Sequence, residues 1–277
     1  MSTIRVASYN VLNLYDAIDD PGKRDEGTRP KPEEEIQAVA DVLRAADADV
    51  VALQEVEKAE TLEHLRGNYL KDLYPHSAHI EGNDSRGSDV ALLSKFPLKN
   101  VTSHREHVFK NPSTGEDMKF RRDLLRADVV IPNAPPVRVY AVHFKSKFGG
   151  EEADIVRTAE ASEAVKLVRE QSAGFPGNNV IVMGDANDTP ESTTGQALVA
   201  PQDGWGLKDA MATVGKSDHA SFSPRKDQGD KWGYKRIDYI LSSPEMNDRL
   251  IDAGLFEHEK AAVGSDHYLM KAEYELG

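Results

Sequence analysis

The feature that most constrains this chain is a repeated local pattern: a short apolar run of strand character that stops at a side chain able to bind a metal or a phosphate. Asn10 follows Ile4–Val11's apolar alternation, and Glu55 follows Val50-Val51-Ala52-Leu53-Gln54. His143 follows Val139-Tyr140-Ala141-Val142, and Asp185 and Asn187 follow Val180-Ile181-Val182-Met183-Gly184. Asp238 lies within Arg236-Ile237-Asp238-Tyr239-Ile240, and Ser265-Asp266-His267 opens the last run. A single polar strand end is only an exit to solvent. Several of them, drawn from Asp, Glu, Asn and His, predict one edge at which the layers of the fold open onto a site.

Between these runs the periodicity changes to helical. Residues 33–46 place Ile36, Val39, Ala40 and Leu43 on one face, behind Glu33, Glu34 and Glu35 in the first turn. Residues 151–173 form the longest helical stretch and end at Gly174, with Pro176 beyond; a shorter helix over 59–67 is expected to stop at Gly67. Strands are expected over 89–94, 101–109, 119–131 and 137–144, separated by Pro- and Gly-containing turns, and again over 179–183, 237–241 and 268–274. The two halves look alike, each a strand, a helix and a short apolar strand ending in an acid. This predicts the α+β class, with two packed mixed β-sheets flanked by helices in a four-layer α/β/β/α sandwich. No linker is visible, so residues 1–277 read as a single catalytic domain. The polar stretch 16–32 is a long loop of the kind that often carries function.

Composition narrows the chemistry. The absence of cysteine excludes thiolate metal sites, disulfides and cysteine nucleophiles. No apolar run is long enough for a transmembrane helix, and no secretory signal precedes the first strand, so a cytoplasmic monomer without a membrane or obligatory protein partner is the expectation. The net charge of −13 disfavours non-specific binding to a polyanion, but two stretches are locally basic. Residues 95–126 carry eight Lys/Arg against four acids, and residues 216–236 carry six against three. These are either substrate-facing surface or solvated loop charge. Trp205 and Trp232 flank the second stretch, where core packing competes with base stacking as their role. His104 and His107, three apart in a strand-like context, do not share a face and are not expected to bind zinc.

The strand-end types suit a hard cation, because Mg²⁺ and Mn²⁺ prefer oxygen ligands and retain several waters. In-line cleavage of a phosphodiester needs an activated water, a charge clamp and stabilisation of the departing oxygen. Glu55 and Asn10 can supply the cation's ligands. Asp185, Asn187, His143 and His267 can supply the rest, with an acid such as Asp238 orienting an imidazole and raising its pKa.

Taken in order, Ser8-Tyr9-Asn10-Val11, Leu53-Gln54-Glu55-Val56, Val142-His143, Met183-Gly184-Asp185-Ala186-Asn187, Arg236-Ile237-Asp238-Tyr239 and Ser265-Asp266-His267 resemble the endonuclease/exonuclease/phosphatase superfamily. That superfamily includes pancreatic-type deoxyribonuclease and the apurinic-site endonucleases. The resemblance spans nearly the whole chain and implies a Mg²⁺- or Mn²⁺-dependent hydrolase. It implies metal ligation by Asn10, Glu55 and Asp266, activation of water by Asp185, phosphate or metal contact by Asn187, and an acid–imidazole pair in Asp238 and His267. His143 stands where the deoxyribonuclease branch has its second histidine, and Asp89 is its implied partner. Arg122 resembles a phosphate-contacting arginine, and Lys145 follows His143 closely enough to face substrate. Leu12 departs from branches that carry a charged residue there, and Asn10 to Asp16 looks like a bacterial nuclease-like branch. The chemistry is therefore expected to be phosphodiester hydrolysis on DNA or RNA, with small or lipid phosphoesters as the alternative substrates.

Overall fold

A computed structural model describes residues 2–201, 204–224 and 233–276. In chain order, β1 (Ser2–Leu14), α1 (Glu33–Ala46) and β2 (Val50–Val56) form the first strand–helix–strand unit. α2 (Ala59–His64) runs on through a π-helical turn and a 3-10 turn to Leu73, followed by β3 (His76–His79), β4 (Asp89–Ser94) and β5 (Leu98–Thr102). A small ribbon, β6 (Phe109–Lys110) and β7 (Asp117–Met118), precedes β8 (Leu124–Val129). The second unit is β9 (Val137–His143), α3 (Gly150–Ser172) and β10 (Val180–Asp185). Then come α4 (Thr193–Val199), β11 (Lys208–Asp209), α5 (Ala210–Thr213), β12 (Asp238–Ser242), α6 (Pro244–Asn247), β13 (Leu250–Leu255), α7 (Ala261–Gly264) and β14 (Met270–Leu276).

The strands make two six-stranded sheets, ordered β13-β14-β1-β2-β4-β3 and β11-β12-β10-β9-β8-β5. Alternation explains how they pack. Ile4, Val6, Val50 and Ala52 face Val139, Ala141, Ile181 and Met183 across the inter-sheet core. Their neighbours Ala7, Tyr9, Val51 and Leu53 face α1 on the other side. On the second sheet Tyr140, Val142, Val180 and Val182 lie under α3. Strands buried on both faces are apolar on both, which is why Val50–Leu53 and Val180–Met183 read as unbroken runs rather than alternating ones. The four-layer sandwich is the outcome.

Topology then decides where the strand ends go. β1 pairs parallel with β2, and β9 pairs parallel with β10, each across its crossover helix. Parallel pairing brings their C-terminal ends to one edge, where open α/β sheets bind ligands. β14 runs antiparallel to β1, and β12 runs antiparallel to β10, so it is the starts of those strands that reach the same edge.

Three boundaries depart from the sequence reading. The strand expected over 101–109 is β5, ending at Thr102; Asn100 adopts φ 50, and the following backbone turns so that His104 donates its N–H to Asp123 at 2.7 Å. The strand expected over 119–131 contracts to Leu124–Val129, because the Arg121 N–H leaves the ladder for the Glu160 carboxylate at 2.6 Å. Gly67 does not end its helix: Leu65 and Leu70 on either side are buried, and packing outweighs the modest helical cost of one glycine.

Candidate active site

Asn10 is the centre of the edge. Its Nδ2 donates to Glu55 Oε1 at 3.2 Å and to Asp185 Oδ2 at 3.0 Å, so one amide joins the ends of β1, β2 and β10 across the gap between the sheets. A bulge sets this up. Leu12 and Asn13 take left-handed backbone angles, and the β1–β2 register shifts after Asn10. The Leu12 N–H then donates to Asn10 Oδ1, and the Asn13 N–H to Glu55 Oε2 at 2.8 Å. Glu55 itself sits at φ 65, an angle that aims a side chain out of the ladder and that is sparsely populated for residues other than glycine. Asn13 thus contributes its backbone to the site, while Asp16 turns back to cap Ile18.

The second sheet supplies the titratable groups. Asp185 pairs with both His143 and Asp238 in register, and its Oδ2 lies 3.6 Å from His143 Nε2 and 3.9 Å from His267 Nε2. His267 Nδ1 bonds Asp238 Oδ2 at 2.8 Å. Its Nε2 lies 3.9 Å from Asp266 Oδ1. Burial opposes a charge on His267, but the carboxylates of Asp238, Asp185 and Asp266 outweigh it and push its pKa up to about 10. Asp185 is pushed up to about 7, first by burial and then by repulsion from Asp238. His143 goes the other way. Burial, reinforced by the positive charges of Arg122 and His267, holds it well below the usual imidazole range and therefore neutral. Two imidazoles about one carboxylate are thereby set in opposite protonation states.

Other residues named from sequence take quieter places. The Arg122 guanidinium and the Asn187 amide both donate to the carbonyl of Phe144 at 3.0 Å, which shapes the loop after β9. Arg122 also lies 3.3 Å from Asp84. Lys145 directs its ammonium onto the backbone of its own loop, at Ser146 O, so it is Lys147 that lines the site. Asp89 does not meet His143. Its carboxylate lies 3.6 Å from His79 Nε2, and His143 Nδ1 has no hydrogen-bond partner among the described residues. Asp89 begins β4, whose neighbours β2 and β3 belong to the first sheet, whereas His143 ends β9 in the second.

Three residues to which the sequence assigns no role hold the site together. Ser221, fully buried, accepts the N–H groups of Ile237 and Asp238 and donates to Asp238 Oδ2 at 2.7 Å. Ser265 donates to the Asn10 carbonyl at 2.7 Å and accepts the His267 N–H. Glu160 of α3 accepts the backbone N–H groups of Arg121 and Lys145, pinning both loops. A serine far from its partner in sequence, or a glutamate inside a helix, carries no local signal of such work.

The residues fit a hard divalent cation. Glu55, Asp185 and Asp266 supply oxygen, and no softer donor than an imidazole is present. The amide hydrogens of Asn10 lie between the Glu55 and Asp185 carboxylates, where positive charge is called for, and Oδ1 of the neighbouring Asp238 is buried with no hydrogen-bond partner among the described residues. Asp185, Asp238 and His267 also bring ligand atoms within 4.8 Å of one another. With Asp238 and His267 bound to each other, Glu55 and the carboxamide oxygen of Asn10 are the better ligands, the latter after rotation of the amide group.

The edge opens into a cavity of about 290 Å³ whose walls include Glu55, Lys147, Phe148, Asp185, Lys235 and His267. Asp266 and His267 also wall a second cavity of about 590 Å³, which extends to Glu34, Glu35 and Tyr234. Most of the first basic stretch is spent within the fold: Lys95 on Asp47 and Asp49, Lys110 on Asp117, and Arg126 on Gln171 and Thr102. Trp205 packs half-buried against the core under α3 and α4, while Trp232 and much of the second basic stretch lie outside the described residues.

Comparison with known proteins agrees with this geometry. The chain superposes on truncated TDP2 from Caenorhabditis elegans with TM-score 0.65 and 20% identity, covering 98% of this chain and 97% of the other. It superposes on an endonuclease/exonuclease/phosphatase from Bacteroides vulgatus with TM-score 0.68 and 16% identity over the whole of both chains. The catalytic domain of human Nocturnin, solved with a bound sulfate anion, gives TM-score 0.67 and 16% identity, covering 99% of this chain and 95% of that one. No curated protein matches in sequence. The pattern described as the Endonuclease/Exonuclease/phosphatase family matches residues 7–267, which takes in every strand end of the site. Members of this family are divalent-metal-dependent hydrolases of phosphoesters, and this chain belongs to it.

Proposed function

We propose that the protein is a Mg²⁺- or Mn²⁺-dependent phosphodiesterase acting on nucleic acid. The observation that carries this reading is the position of Asp266 and His267 between two cavities, which leaves room for a chain on both sides of the phosphate. A diester needs that room; a terminal phosphate needs one side only. Lys235 lies in the smaller cavity for phosphate oxygens, beside Lys147, whose ammonium is paired with Asp188 at 2.6 Å, and the exposed rings of Phe148 and Tyr234 offer surfaces on which bases can stack.

The division of labour follows from the protonation states. Glu55 and Asn10 would hold the cation, which when bound would supply charge to the phosphoryl oxygens and acidify water. Asp185, with a pKa near neutrality, takes the proton of the attacking water. His267, kept protonated by Asp238, donates a hydrogen bond to a phosphoryl oxygen and stabilises the charge that builds there, while the P–O bond opposite the attacking water breaks and the departing oxygen takes its proton from solvent. Neutral His143 keeps Nε2 close to Asp185 without adding a second positive charge.

The test is cleavage of plasmid, single-stranded DNA and RNA by the purified protein, with and without chelator. Metal-dependent cleavage is expected; nucleic acid left intact at high metal and enzyme would remove the proposal. One observation favours a second reading, a small or lipid phosphoester substrate. Glu34 and Glu35 line the larger cavity, and the chain carries a net charge of −13, both unfavourable to a long polyanion. Faster turnover of a small monoester than of any diester would favour that alternative.

A further inference from the structure

A second group of carboxylates lies outside the site described above, where the 16–32 loop folds back on the end of β2. Asp20, Asp25 and Glu57 bring ligand atoms within 4.8 Å of one another, and Asp19, Asp25 and Glu26 do the same. Asp25 is common to both groups. It is 7% exposed, and its Oδ1 is buried without a hydrogen-bond partner among the described residues. Its other oxygen accepts the Asp20 N–H, at 3.2 Å. A buried carboxylate oxygen with no donor is costly, and natural folds rarely leave one without a cation or a water.

The surroundings do not supply enough positive charge. Lys58 lies 3.0 Å from Asp20, 3.2 Å from Asp16 and 3.9 Å from Glu57, and no ion pair joins it to Asp25. One ammonium is thus shared by three carboxylates, while Asp25 has none among the described residues. A cavity of about 380 Å³ reaches the group past Asp20, Glu57 and Lys58, giving a route from solvent.

We propose that Asp25, with Asp20 and Glu57, forms a separate calcium site that clasps the 16–32 loop onto β2. Ca²⁺ suits it better than Mg²⁺. The donors are all oxygen, they come from a flexible loop and a strand end, and Ca²⁺ accepts six to eight ligands in irregular geometry where Mg²⁺ demands an octahedron. The consequence reaches the active site through the backbone. Glu57 accepts the Asp16 N–H at 2.9 Å, just as Glu55 accepts that of Asn13, so the loop leaving Asn10 is tied to β2 at both points. A cation on Glu57 and Asp25 fixes the second tie.

The experiment is calorimetric titration of the metal-free protein with CaCl₂, using the Glu55→Gln variant so that the active site is impaired as a cation site. One Ca²⁺ per chain is expected to bind this variant, with protection of the 16–32 loop from limited proteolysis. Adding Asp25→Asn to it should weaken binding by about tenfold or more and abolish the protection. Asp20→Asn, at a half-buried position less critical to folding, should weaken it in the same direction. No Ca²⁺ binding by the Glu55→Gln protein at millimolar concentration would overturn the proposal. So would undiminished binding in folded Asp25→Asn or Asp20→Asn protein, with circular dichroism establishing the fold. Neither result bears on the phosphodiesterase reading, which chelation and cleavage assays decide separately.

Discussion

Oδ2 of Asp238 receives two hydrogen bonds at once, from His267 Nδ1 at 2.8 Å and from the Ser221 hydroxyl at 2.7 Å. Ser221 in turn is held by two backbone N–H groups, so the carboxylate that orients His267 is itself fixed from behind. The imidazole that opens the last strand is therefore positioned by a residue nearly thirty positions earlier and by a serine before that. It is this chain of bonds that keeps the ring charged in a buried site.

Asp238→Asn should reduce kcat/KM by about 10²–10⁴-fold, the range over which a positioned acid or base contributes. It should also move the pH profile. Catalysis that needs ionised Asp185 and protonated His267 rises with pH as Asp185 loses its proton and falls as His267 approaches its value of about 10. Without Asp238 the alkaline limb should shift towards neutral pH. An unmoved alkaline limb in this variant would show that His267 is not the group observed.

Stability of the metal-free protein should depend on the same pair, and with the same sign, since both groups hold their protons more tightly in the folded state. The folded pKa of His267 lies above the unfolded value near 6.5, so its stabilising contribution is complete below that pH and is lost as pH rises towards about 10. Asp185 is also raised, but for a carboxylate this means that ionisation is disfavoured by folding. Stability therefore declines as pH rises from about 4 through about 7. Asp185→Asn should raise the metal-free melting temperature at pH 8 while lowering turnover. Mg²⁺ or Mn²⁺ should raise that of the wild type more than that of Asp185→Asn. Thermal melts of both proteins with and without metal check each point.

Gly184→Ala should prevent folding. A Cβ at Gly184 would lie 1.9 Å from the Val142 carbonyl oxygen, on the parallel neighbour that carries His143. Neither strand can yield without breaking the ladder that sets Asp185 beside His143. Insoluble expression or loss of the native circular dichroism spectrum is the expected result; a folded, active variant would mean the strands are farther apart.

Phe148→Ala should raise KM for single-stranded nucleic acid by about 5- to 150-fold, equivalent to about 1–3 kcal/mol for one stacked base. The ring is 82% exposed, so stability should change little. Turnover of a small activated diester should be nearly unchanged, since no base is there to stack. Equal losses on both substrates would remove Phe148 from base recognition.

The sequence by itself determined the layers and most of the site. Unbroken apolar runs such as Val50–Leu53 and Val180–Met183 are those of strands covered on both faces, and the periodicity of 33–46 and 151–173 gave the crossover helices nearly to the residue. The edge strands β3 and β13 escaped notice, because half-exposed segments such as His76–His79 and Leu250–Leu255 carry little hydrophobic pattern. Polar strand ends are visible locally; what they touch is not. Asn10 donating to Asp185 across the sheets, Asp89 turning to His79 instead of His143, Lys145 spent on its own loop and Ser221 behind Asp238 are all set by strand order and register. So are the opposite charge states of His143 and His267, two residues of the same type whose difference lies in their neighbours. Residue type reports what chemistry a position can do. Burial and distance to charges contributed by other strands decide which of it the position does, and those exist only once the sheets have packed.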